Sequence, residues 1–311
     1  DFRFMKPLPL ISLDWLGCVL WSALLIEVVF LFNYGEYYNW WDGRPFRVVT
    51  FMVPVTFYFA LQRMRHIRHP YIAPEAWLYK RLLPLLAVFA LVELINSTPK
   101  ILQNTFTSGV LHFGAMSTSV FYLVEWAGTI CGCMFVMFWI KVLRQKFTRL
   151  LTVGLMSLLA YEVQMYLMIT PGLDIANFYL PIFCRTFGVA IFFTALTIYL
   201  EELMPFQHFF MGLTMVGFIR NGVVDTICSG IYSFSLRHHI AENFARAMPY
   251  DATQVILVSL KQLFGVTCII ATVVLLIFLV WDIQPVRDTL KRMPYWSVVG
   301  RLLRRQMSSG K

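Results

Sequence analysis

Residues 177–205, NFYLPIFCRTFGVAIFFTALTIYLEELMP, form a run long and apolar enough to cross a bilayer, with an arginine inside it. An ionised side chain in hydrocarbon costs about 2.5 kcal/mol or more even on the most lenient scale, so Arg185 is expected to face a protein interior or a watery cavity and to have a partner there. The next apolar run repeats the problem, with Arg220 near its middle and Asp225 five residues on. Five residues of α-helix turn through about 500°, which leaves the two roughly 140° apart in projection. Each is therefore expected to look to another helix.

Runs of this kind recur along the 311 residues, 59% of which are hydrophobic and 14% charged. That composition excludes a soluble globular class and predicts an all-α polytopic helical membrane protein. Eight transmembrane helices are expected, at 13–33, 46–62, 82–99, 114–140, 150–170, 178–200, 206–234 and 263–281. Pro54 and Pro84 fall inside the second and third, which bilayer helices tolerate. All six cysteines (Cys18, Cys131, Cys133, Cys184, Cys228 and Cys268) lie in apolar runs and read as small fillers, not as a disulfide framework or metal site. The chain opens on Asp1, and its first apolar run lacks a signal-type cleavage site, so an upstream portion is expected.

A net charge of +9 reads here as cationic residues retained on one side of the membrane, and no nucleic-acid partner is expected. Of the 26 lysines and arginines, 18 fall in the alternate loop set that contains both ends of the chain. Both termini are therefore expected to be cytoplasmic. On the opposite side, 33–45 (NYGEYYNWWDGRP) reads as an aromatic belt at the headgroups. The outer segment 235–262 carries His238, His239 and Glu242, too few ligands for a metal site.

The chemistry lies in carboxyls deep in the spans: Glu27, Glu93, Glu125 and Glu162, joined by Asp225. A carboxyl in such a place can hold and release a proton, as a proton-coupled transporter requires. Thr118, Tyr122, Glu125, Thr129 and Gly132 recur at three- and four-residue spacing and form one stripe of polar and small residues. Glu93 and Asn96 share a face of the third span. Glu27 and Glu162 lie in less polar settings, and packing is the stronger reading for both. Gly128 and Gly132 are spaced for close helix approach. Proton-coupling candidates are thus Glu93, Glu125 and Asp225. Candidates for cavity charge or substrate binding are Arg185, Arg220, Asn96 and Tyr122. Matching depths along the spans predicts that Glu125 pairs with Arg185 and Glu93 with Arg220. No hydrolase, zincin or phosphate-loop motif is present, so no catalytic residue, metal or cofactor is expected.

The order of features resembles the major facilitator superfamily, and within it the fourteen-span drug:proton antiporters of the EmrB/QacA type. Leu13-Asp14-Trp15-Leu16-Gly17 is similar to the family's Asp-x-x-Gly entry to its seventh span, and Asn39-Trp40-Trp41 to the turn that follows. Pro70-Tyr71-Ile72 with Leu78 is similar to the segment before the ninth, and Arg220 followed by Arg237, His238 and His239 to the thirteenth span and its outer loop. The glycines after Arg220 are thinned to Gly222 and Gly230, and the loop with Lys141, Arg144 and Lys146 lacks the family's Gly/Asp/Arg pattern.

The resemblance implies three parts: 1–70, a cytoplasmic start with two linking helices; 71–284, the C-terminal six-helix bundle of a major facilitator fold; and 285–311, a basic cytoplasmic tail. It implies a multidrug or amphipathic-compound exporter in a bacterial inner membrane, exchanging substrate for protons by alternating access. That mechanism needs two bundles, so the expected partners are a missing N-terminal half and a periplasmic adaptor of the membrane-fusion type. The alternative is a non-transporting module that assembles with other subunits through its polar helix faces.

Overall fold

The computed structural model describes residues 14–35, 37–67, 70–72, 82–143, 147–203, 206–246 and 251–283. Among these no strand occurs, and nine helices follow in order: α1 (Trp15–Tyr34), α2 (Arg44–His66), α3 (Leu82–Asn96), α4 (Ala115–Phe138), α5 (Phe147–Met168), α6 (Tyr179–Leu203), α7 (Phe206–Gly217), α8 (Asp225–Arg246) and α9 (Ala252–Ile283). Seven helical segments among the described residues are long and apolar enough to cross a membrane. The chain is a multi-pass helical membrane protein. The expected basic tail, 285–311, lies outside the described residues, as do Leu13, Leu78 and Arg144.

The expected spans shift in three places. The third does not stop at Pro99: π-helical turns at Pro99–Gln103 and Thr105–Val110 carry it on, and the apolar segment runs Leu85–Val110. Proline lacks an amide to donate, and a π-turn re-pairs the neighbouring carbonyls so that the helix need not end. The segment 235–262, expected as an outer loop, is mostly helix among its described residues, shared between the end of α8 and the start of α9. The expected span 206–234 falls on α7, a π-helical turn at Phe218–Val224, and α8. This run, which holds Arg220 and Asp225, is not one of the seven.

The helices form two compact units. The first gathers the described residues up to Leu102 with Ile198–Glu242. In it, Trp21 of α1 sets its ring edge-on to Phe57 of α2 and to Phe218 of the π-turn. Gly230 lets α8 approach so closely that a Cβ there would stand 2.8 Å from the Phe32 carbonyl oxygen. Phe89, Val92 and Ile95 of α3 are buried in its core. Between α1 and α2, Asn39 and Trp40 both adopt left-handed backbone, with φ of 51° and 54°. That is a strained choice for a tryptophan, held by its ring packing on Phe46 and Phe234.

The second unit gathers Gln103–Thr197 and the described residues from Asn243 onward. Here α4 closes on α6 through Gly128 and Gly132, as the small-residue spacing predicts. A Cβ on Gly128 would meet Thr186 Oγ1 at 2.1 Å, and one on Gly132 would meet Ala190 Cβ at 2.7 Å. Such close approach is how helices gain dispersion energy where lipid offers no hydrophobic driving force. Leu158, Tyr161, Ile191, Phe192 and Phe264 fill the core. Large apolar side chains remain exposed on α2 (Phe51, Val55, Phe59) and α4 (Met116, Leu123, Met134), as on a lipid-facing surface.

Candidate charge-pair sites

In the first unit, α3 places Glu93 in the core with its side chain 4% exposed, and Arg220 Nε donates to its Oε2 at 3.0 Å. Asn96, one turn on, donates from Nδ2 to the other oxygen at 3.2 Å. Both lone-pair directions of the carboxylate are engaged, which a buried anion requires.

A second rung lies beyond the first. Lys100 Nζ donates to Asp225 Oδ2, so an acid then a base on one strand of the pair face a base then an acid on the other. Straight α-helix would turn Arg220 and Asp225 well apart. The π-turn prevents this: the Asp225 amide donates to the Arg220 carbonyl five residues back, stacking the two residues on one side. Asp225 Oδ1 is buried, with no hydrogen-bond partner among the described residues.

Two further groups lie on α1. Asp14 caps the helix by accepting from the Gly17 amide at 2.9 Å, and also accepts from Arg63 Nε at 2.7 Å and the Tyr71 amide at 3.3 Å. Burial by itself raises this carboxyl, but the Arg63 bond, the two amide bonds and the Arg63 charge outweigh it and hold the group below its usual value. Glu27, on the buried face of α1, accepts from Thr56 Oγ1 at 2.9 Å, and its second oxygen is buried with no partner among the described residues.

In the second unit, Arg185 Nη2 of α6 donates to Glu125 Oε1 of α4. Here the arginine is the more enclosed member, 13% exposed against 31% for the carboxylate. Along the stripe on α4 Gly132 is buried, Thr118 and Glu125 are half-buried, and Thr129 and Tyr122 are exposed. Glu162 of α5 is fully buried and accepts from Thr267 Oγ1 of α9 at 2.7 Å. A turn along, Lys261 sits over the Tyr166 ring at 5.4 Å.

Both arginines thus meet the acids that depth along the spans predicts. Lys100 is the residue that sequence reasoning missed, because Pro99 was read as a helix end and the lysine as loop. Its signal was a lone cation beside an apolar run opposite Asp225. No protein-family model matches the chain, and no curated protein matches it.

Proposed function

We propose that this chain is the C-terminal portion of a proton-coupled exporter of amphipathic compounds, working by alternating access together with a second bundle. The observation that carries the reading is the Glu125–Arg185 pair: an ion pair within the apolar spans whose carboxylate is the more accessible member and lies between the exposed polar residues Tyr122 and Thr129. Lipid does not solvate such a stripe. It belongs against water or another polar protein face, which is where a carboxyl can exchange a proton. Protonating Glu125 removes the charge that holds Arg185, and so links proton uptake to a change of helix contacts.

In this reading the run 206–234 is the eighth crossing, since its internal charges, Arg220 and Asp225, are matched by Glu93 and Lys100 within its own unit. Glu93 and Asp225 serve as further proton-coupling groups, and Tyr122 and Asn96 as cavity residues. Both termini are cytoplasmic, and the protein performs no covalent chemistry. The membrane is the bacterial inner membrane, and a periplasmic adaptor receives the exported compound.

The test is export by the intact transporter, reconstituted in vesicles with an imposed proton gradient. Glu125→Gln keeps the shape and hydrogen-bonding capacity of the side chain while removing its titration. It is expected to insert and fold, at reduced stability because Arg185 loses its partner, and to lose proton-driven export by roughly a hundredfold, the scale of a positioned proton-transfer group. Unchanged export at neutral and alkaline pH would reduce Glu125 to a packing contact. Absence of any gradient-driven flux in the parent would favour the non-transporting assembly module.

A further inference from the structure

The first turn of α1 and the last two turns of α2 enclose an open groove of about 390 Å³, lined by Leu16, Leu20, Phe59, Gln62, Arg63 and His66 with Ile67. Its lining is graded. Leu20 and Phe59 lie deeper along their helices, whereas Gln62, Arg63 and His66 lie at the helix end, where the membrane boundary falls. Trp15, 60% exposed at the same level, suits that boundary. A groove that is apolar toward the bilayer interior and basic toward its surface has the polarity of a phospholipid.

The basic end has capacity left over. Arg63 spends Nε on Asp14 and makes no other hydrogen bond among the described residues, while its side chain stays 31% exposed. Its terminal nitrogens are therefore available to a second anion. His66 donates from Nδ1 to the Gln62 carbonyl at 2.8 Å, which leaves Nε2 for a ligand. Arg65, in the same last turn, does not line the groove but adds to the positive charge of the helix end. Cations at a helix C-terminus also complement its dipole, but that alone does not call for an apolar floor beneath them.

We propose that this groove binds one anionic phospholipid, with its phosphate on the terminal nitrogens of Arg63, a headgroup hydroxyl on His66 Nε2, and an acyl chain along Leu16, Leu20 and Phe59. The basic loop that α2 leads into is on the cytoplasmic side by the distribution of lysine and arginine, and anionic lipid there is drawn to such clusters. The bond to Asp14 fixes the guanidinium at the groove, so the lipid finds it already oriented.

The experiment is native mass spectrometry of the full chain released from mild detergent, supplied with phosphatidylglycerol or phosphatidylcholine of matched acyl chains. Retention of one phosphatidylglycerol, with about tenfold preference over phosphatidylcholine, is expected. Leu16→Trp fills the apolar floor at a position 53% exposed and leaves the Asp14–Arg63 pair in place. It is expected to abolish retention, and His66→Ala to reduce the preference. Equal retention of both lipids, or retention unaltered in both variants, overturns the proposal. So does full displacement of phosphatidylglycerol by millimolar inorganic phosphate, which would mark an anion site without a lipid groove. Thermal unfolding with each lipid provides the same comparison should one variant fold poorly. A shift specific to phosphatidylglycerol in the parent supports the site, and equal shifts sink it.

Discussion

The two compact units solve one problem in opposite senses. In the first, the carboxylate of Glu93 is enclosed and Arg220 is the more open partner, 4% against 27% exposed. In the second, Arg185 is enclosed and Glu125 is the more open partner, 13% against 31%. Which member is enclosed decides what the pair can do. An enclosed carboxylate engaged by Arg220 and Asn96 orders its surroundings. An open carboxylate over an enclosed arginine can meet a proton, and its loss leaves a buried cation unmatched.

This contrast breaks or sharpens under mutation. The largest effect belongs to Arg220→Gln, because it strands the enclosed Glu93 carboxylate in the core. Removing one member of a buried pair typically costs about 3–5 kcal/mol, and removing both restores neutrality. Folded yield and thermal unfolding of Glu93→Gln, Arg220→Gln and the double variant should show the double variant recovering most of the loss. A double variant as poor as the sum of the singles would mean that the pair is not an energetic unit. The same cycle on Glu125 and Arg185 should show the smaller loss for Arg185→Gln, which leaves only a partly exposed carboxylate, and the larger for Glu125→Gln, which leaves the enclosed arginine unmatched.

An intermediate effect is expected at Asp14, outside the spans. Asp14→Asn keeps an acceptor for the Gly17 amide but removes the charge that Arg63 matches, a loss of about 1–2 kcal/mol by the scale of charge-assisted bonds. Because its folded carboxyl is held below its unfolded value, the stabilisation is fully present above the unfolded value of about pH 4. It is lost as the pH falls through the lowered folded value. The gap in unfolding temperature between parent and variant should therefore close on acidification. A gap that widens instead would reverse the assigned shift.

The smallest effect is expected at Thr56. Thr56→Val removes the one hydroxyl that Glu27 accepts from among the described residues and costs about 1 kcal/mol, while Thr56→Ser restores it. No loss in Thr56→Val would show that Glu27 is satisfied in another way.

Much of this arrangement was legible in the residues themselves. Apolar runs of bilayer length determine an all-helical multi-pass chain, since backbone polar groups in lipid must be satisfied within each segment. The cost of a charge in hydrocarbon determines that Arg185 and Arg220 have acidic partners, and rise per residue is enough to choose Glu125 and Glu93 by depth. Gly128 and Gly132 announce a close helix contact by spacing alone.

The rest depends on rotation about the helix axis, which depth does not determine. That Arg220 and Asp225 share a side follows from a π-turn, a register change with no pattern in the sequence comparable to a hydrophobic period. That Lys100 belongs to a helix follows from π-turns carrying the chain past Pro99, against the local preference of proline. That Asp14 meets Arg63, 49 residues away, follows from the packing of α1 on α2. Composition and periodicity determine which groups need partners. Only tertiary packing decides which lone pair meets which donor, because that choice is made across helices and not along them.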